Sequence, residues 1–169
     1  MAILTHQGTG NSVTDPAEIK GTLAKHDLLF EQWDIAKYNG AEAPTTGTVE
    51  EHILSVFSTE IAAISEARGY TTADVIALRP DTPNLDAICA KFDKEHTHSE
   101  DEVRFVVAGR GVFACRGNDG ELYDIELHPG DLLAVPEGKQ HYFFLCEDRN
   151  IQCIRLFTDP SGWVADYVD

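Results

Sequence analysis

Basic side chains are scarce in this sequence. Its 13 lysines and arginines stand against 29 aspartates and glutamates, a formal charge of 13 − 29 = −16. A surface of that sign repels phosphate backbones and anionic lipid, so nucleic acid and membrane surfaces are not expected partners. Long apolar runs are missing as well. The opening residues Met1-Ala2-Ile3-Leu4-Thr5-His6-Gln7-Gly8 have no basic stretch or long hydrophobic run, and no later segment is apolar for the length of a membrane span. The expectation is a cytoplasmic location. The four cysteines, Cys89, Cys115, Cys146 and Cys153, form no C-x-x-C pair. They are expected as reduced thiols, with a Cys146 to Cys153 link as the alternative. No solenoid-type repeat, low-complexity tract or charged tail is present. With no linker long enough to separate two units, residues 1–169 are expected to form one domain with a real core.

What is present divides by texture. Asp15-Pro16-Ala17-Glu18 supplies a capping residue, a proline at the first helical position and an acid at the third, with Ile19 and Leu23 one turn apart. A short helix is predicted there. Leu28 to Trp33 reads as a strand, and residues 39–47 as a loop. Thr48-Val49-Glu50-Glu51 is a second capping signal. Val49, Ile53, Leu54, Val56, Phe57, Ile61 and Ile64 follow at helical spacing up to Gly69. This predicts one long helix of about five turns, packed on a sheet. Asp74 to Leu78 reads as a strand and Leu85, Ile88, Cys89 and Phe92 as a short helix. From Arg104 onward, short runs of Val, Phe, Ile and Leu alternate with turns such as Gly117-Asn118-Asp119-Gly120 and His128-Pro129-Gly130-Asp131. That spacing predicts an antiparallel meander or double-sheet roll. The predicted fold is mainly β with flanking helices: helical elaboration mostly in 1–92, barrel strands mostly in 93–157, and a tail at 158–169.

The chemistry concentrates in Glu95-His96-Thr97-His98-Ser99-Glu100-Asp101-Glu102-Val103-Arg104. In an extended segment alternate side chains share a face, so His96 and His98 can turn both imidazoles to one ion. Glu102 follows a short acidic turn with the same parity, and His141 is the fourth expected ligand. Three neutral nitrogens and one carboxylate suit iron, nickel, manganese or zinc and are poor for calcium. His128 is read as a turn residue, and His6, His26 and His52 lack ligand-like company.

The pattern His96-x-His98-x-x-x-Glu102 with Gly109, followed by Gly130-x-x-x-x-x-Pro136-x-Gly138-x-x-His141, resembles the two halves of the cupin signature, a double-stranded β-helix or jelly-roll barrel. Leu145 departs from the asparagine usual after the second histidine. Within cupins, Pro80-Asp81-Thr82-Pro83-Asn84-Leu85, Lys91-Phe92-Asp93-Lys94-Glu95-His96-Thr97-His98 and Glu100 to Val107 are similar to the acireductone dioxygenase family of methionine salvage. The resemblance covers nearly the whole chain and is weakest before Phe30.

That resemblance implies one iron or nickel ion per chain, held by His96, His98, Glu102 and His141. It implies a methylthio-substituted enediolone and dioxygen as substrates, and a monomer. Also implied are Arg104 assisting a substrate dianion, Glu95 in metal loading and Asp101 in relaying local conformational change. Phe92, Phe143 and Trp163 are expected either to line the pocket for the methylthio tail or to serve as core aromatics. The alternatives are another metal-dependent cupin, such as a sugar-phosphate isomerase or a quercetinase-like dioxygenase, and a non-catalytic binding cupin.

Overall fold

The structure, a computed structural model, describes residues 1–39, 46–159 and 164–168. Most of the loop expected at 39–47 and all of Trp163 lie outside the described residues. In chain order the elements are β1 (Ile3–His6), β2 (Ser12–Val13), α1 (Pro16–Ala24), β3 (Leu29–Gln32), α2 (Ala36–Asn39), α3 (Val49–Val56), α4 (Ser58–Arg68), β4 (Thr72–Leu78) and α5 (Leu85–Cys89). They continue with β5 (His96–Thr97), β6 (Glu102–Gly109), β7 (Gly111–Arg116), β8 (Leu122–Leu127), β9 (Asp131–Val135), β10 (His141–Leu145), β11 (Ile151–Phe157) and β12 (Asp166–Tyr167).

The strands form two sheets, ordered β12-β5-β10-β7-β8-β1-β2 and β3-β9-β6-β11-β4. Every pairing is antiparallel. Inward side chains of both sheets meet in one core: Leu4, Phe113, Cys115 and Ile125 from the first, Phe30, Val106, Leu133 and Ile151 from the second. The second sheet is also covered on its outer face. There Val103, Phe105, Val107 and Leu156 pack against Ile53, Phe57 and Ile64 of the helical segment. Each such residue, fully buried, contributes about 1.5–3 kcal/mol. The architecture is the expected β-dominant one with helices outside. All four cysteines are free thiols, with Cys115 and Cys153 buried.

Local signals explain most elements. Asp15 caps α1 by accepting the Glu18 backbone N–H at 2.9 Å. Thr48 and Glu51 complete a reciprocal capping box at the start of α3, both bonds 3.1 Å. One expectation needs correction: the long helix after Thr48 is two helices. Phe57 leaves helical geometry (φ −103°, ψ 18°) between α3 and α4. Its ring is fully buried against Phe105, with centroids 4.8 Å apart, and near Trp33, at 6.1 Å. Docking that ring on the curved sheet takes precedence over continuing the helix. The β1–β2 hairpin escaped the sequence reading; β1 is four residues long and is completed by its pairing with β8.

Candidate metal centre

Strand register assembles the centre. His141 of β10 lies directly opposite His96 of β5, and Tyr167 of β12 borders His96 on the other side. His98 follows β5 closely, and its carbonyl accepts the Gly138 N–H at 3.0 Å. Gly138 has φ +76°, a conformation glycine adopts without strain, so the Pro136–Gly138 turn is seated against the first histidine pair. Glu102 opens β6 in the facing sheet. One sheet therefore supplies imidazoles and the other a carboxylate.

All four side chains belong to buried residues, at most 7% exposed. Their four ligating atoms lie within 4.8 Å of one another. His96 Nε2 is 3.1 Å from His98 Nε2, and His98 Nε2 is 3.4 Å from Glu102 Oε2. His141 Nε2 is also in close contact with Glu102 Oε2. The outward nitrogens are spoken for by the backbone: His96 Nδ1 faces Lys94 O at 2.6 Å, His141 Nδ1 faces Lys139 O at 2.8 Å, and His98 Nδ1 faces Val164 O at 3.2 Å. A carbonyl only accepts, so each Nδ1 donates, and in the neutral ring each Nε2 turns a lone pair inward. The two lone pairs of His96 and His98 then face each other at 3.1 Å, which is repulsive unless a cation sits between them. The donor set fits a divalent transition metal, and the carbonyl partners fix the ring tautomers as such sites require.

The electrostatics follow from burial and pairing. Burial pulls the His96 pKa down against the Lys94 carbonyl, and the charges on His141 and His98 add to the pull, so its lone pair is kept. His141 is raised, because contact with Glu102 outweighs burial. Burial pushes Glu102 up, but Arg104 and the contacts with His141 and His98 overcome it and hold the carboxyl well below its ordinary range. Arg104 Nη2 lies 3.0 Å from Glu102 Oε1. Both face the barrel interior, alternating with the outward Val103 and Phe105.

A cavity of about 390 Å³ borders Glu102 and Arg104, and Phe92 and Phe143 are in its wall. The structure thus places two of the three expected aromatics at the cavity. Glu95 is outside the ligand cluster, in a fork with Arg116 at 2.7 and 3.0 Å. Asp101 joins three segments: it accepts from Tyr70 Oη at 2.7 Å, from the Glu137 backbone N–H at 3.0 Å and from Arg68 at 3.4 Å. Burial, and then the bond to Asp101, push the Tyr70 phenol up to about 12. His128 pairs with Glu126 at 2.9 Å, in keeping with its reading as a turn residue.

Several residues escaped the sequence reading. Phe113 packs against Phe143 in a tilted pair, ring centroids 4.8 Å apart, and lines the cavity with Ile76 and Ile151. Arg155 lines it too, held by Asp74. A signal for Arg155 existed, since an arginine on the face of β11 that also carries Ile151 and Cys153 is anomalous. Nothing in the sequence marks Val164, whose carbonyl orients His98.

Two facing antiparallel sheets with three imidazoles and one carboxylate converging between them define a metal-binding barrel of the cupin class. The sequence profile of the ARD/ARD′ family matches residues 6–165, and the chain belongs to that family. It is 45% identical over 170 residues to an acireductone dioxygenase of Exiguobacterium sibiricum, covering 99% of this chain and 95% of that one. Against an acireductone dioxygenase of Bacillus cytotoxicus it is 45% identical over 158 residues, covering 92% and 93%. The solved acireductone dioxygenase from Bacillus anthracis, which has a cadmium ion in its active centre, superposes with a TM-score of 0.92 at 42% identity, covering 99% of this chain and 98% of that one.

Proposed function

We propose that this chain is a metal-dependent dioxygenase that cleaves an acireductone, 1,2-dihydroxy-3-keto-5-methylthiopentene, in methionine salvage. With iron the products are 4-methylthio-2-oxobutanoate and formate. With nickel they are 3-methylthiopropionate, carbon monoxide and formate. The observation that carries this reading is the pairing of Arg104 with Glu102 at the wall of a cavity whose remaining lining is largely apolar. A small dianion with an apolar tail matches that lining end for end.

His96, His98, Glu102 and His141 would hold the ion. Bound there, iron or nickel supplies a Lewis acid that favours the deprotonated enediolate and its reaction with dioxygen. Arg104, charged at every working pH, stabilises the dianion from the cavity wall. Phe92 and Phe143 receive the methylthio tail and exclude water. Asp101 is a positioning residue: through Tyr70 and Glu137 it holds the turn that leads to His141 in place next to the first histidine pair. Glu95, next to His96 in the chain and paired with Arg116, assists loading of the ion. The formal charge of −16 repels a second copy, which supports a monomer.

The test is anaerobic loading with iron or nickel, followed by acireductone and oxygen. The expected result is consumption of both in equal amounts, with carbon monoxide released only by the nickel form. The reading fails if the metal-loaded protein leaves acireductone decaying no faster than buffer does.

A further inference from the structure

Two arginines, Arg104 and Arg155, reach the wall of the cavity. They stand opposite each other in the register of β6 and β11, and Asp74 of β4 stands opposite Arg155, so the three form one row across the sheet. Asp74 grips Arg155 through a fork, Nε to Oδ1 at 2.8 Å and Nη2 to Oδ2 at 2.7 Å, which fixes the plane of the guanidinium. The next rows along β4 and β11 are apolar at the same cavity: Ile76 opposite Cys153, then Leu78 opposite Ile151. The cavity therefore has a charged end, where Arg104 meets Glu102 and Arg155 meets Asp74, and an apolar end.

A structural role accounts poorly for this row. The Asp74–Arg155 pair is partly exposed, with the Asp74 side chain 39% exposed, and an ion pair so placed contributes at most about 1 kcal/mol, while two adjacent guanidiniums add repulsion. The neighbouring apolar rows show what the barrel uses where only packing is at stake. In a chain of net charge −16, paired cations facing a cavity answer to negative charge on a ligand.

We propose that Arg155, oriented by Asp74, is a second anion-anchoring residue of the cavity. With Arg104 it takes the two adjacent oxyanions of an enediolate whose apolar tail lies toward Ile76, Leu78 and Phe143. Arg104 is oriented by the Glu102 carboxylate and Arg155 by that of Asp74, so each guanidinium meets the ligand in a fixed plane and the two together supply charge-assisted contacts to both oxyanions. Specificity follows. An analogue with a single ionised oxygen forfeits one of the two contacts.

The inference rests on the acireductone reading, and the experiment separates the two. Wild-type protein loaded with nickel is assayed first; absence of turnover there sinks the reading itself, whatever Arg155 does. If wild type turns over, Arg155→Gln, Arg155→Lys and the double variant Asp74→Asn/Arg155→Gln are compared at equal metal content. Loss of one charge-assisted contact predicts a rise in KM of about 10- to 100-fold in Arg155→Gln, with a much smaller fall in kcat. Lysine restores part of the loss. Anaerobic titration of the nickel-loaded protein with acireductone, followed by its absorbance, shows the same weakening without turnover. The double variant leaves no unpaired carboxylate at position 74, so it carries the test if Arg155→Gln does not fold. KM and anaerobic affinity unchanged in the variants, or losses that only track metal content, overturn the proposal.

Discussion

At the scale of single residues, Glu102 has two duties. One carboxylate oxygen meets His98 and His141, and the other meets Arg104. Glu102→Gln keeps the shape and removes the charge, which leaves Arg104 buried beside a neutral amide. The expected outcome is loss of bound metal together with a destabilisation of about 3–5 kcal/mol, read by metal analysis and urea unfolding. Full metal content in this variant would contradict the assignment of the carboxylate as a ligand. Tyr70 sets a pH dependence. Its folded pKa, about 12, lies above the ordinary 10.0, so its contribution is whole below pH 10 and is lost as pH rises through 12. Tyr70→Phe should flatten the alkaline limb of the stability profile and cost about 1.5 kcal/mol at neutral pH. An unchanged alkaline slope in urea titrations from pH 9 upward would contradict this. The cluster of His96, His98, Glu102 and His141 was legible in the sequence: strand parity joins the first three, and the spacing from the Gly130 to Gly138 turn adds His141. The carbonyls of Lys94, Lys139 and Val164 were not, since every residue carries a carbonyl and only folding decides which one meets an imidazole.

At the scale of elements, the caps at Asp15 and Thr48 were readable because they depend on neighbours three residues away. The break at Phe57 was not, because the helical stripe runs through it unbroken and the cause lies across the sheet at Trp33 and Phe105. The turn joining β6 to β7 is a second case. Gly109 has φ +71°, and a Cβ there would sit 2.1 Å from the carbonyl oxygen of Asn150. Neither the dihedral nor the backbone contact can yield cheaply. Gly109→Ala is expected to cost about 4 kcal/mol or more, seen as a large drop in the thermal midpoint or failure to accumulate folded protein. A variant as stable as wild type would show that β11 can retreat from β6, against the register found here.

At the scale of the whole molecule, the excess of acid is the dominant physical fact. Self-repulsion at −16 works against the compact state, and added salt screens it. Raising ionic strength from about 0.01 to about 1 M shortens the screening length from about 30 to about 3 Å, so the thermal midpoint should rise. A midpoint that falls with sodium chloride would mean that ion pairs such as Arg110 with Glu126 and Asp148 outweigh the net repulsion.

The sequence by itself determined the β-dominant barrel, its outer helices and the four members of the metal-site cluster, because hydrophobic period and motif spacing can be read along the chain. Only the tertiary structure decided that His96 faces His141 across β5 and β10, that Asp74, Arg155 and Arg104 share one row, and that the helical stripe divides at Phe57. Each of these depends on register between strands or on packing across a sheet, which is settled by contacts far apart in the chain.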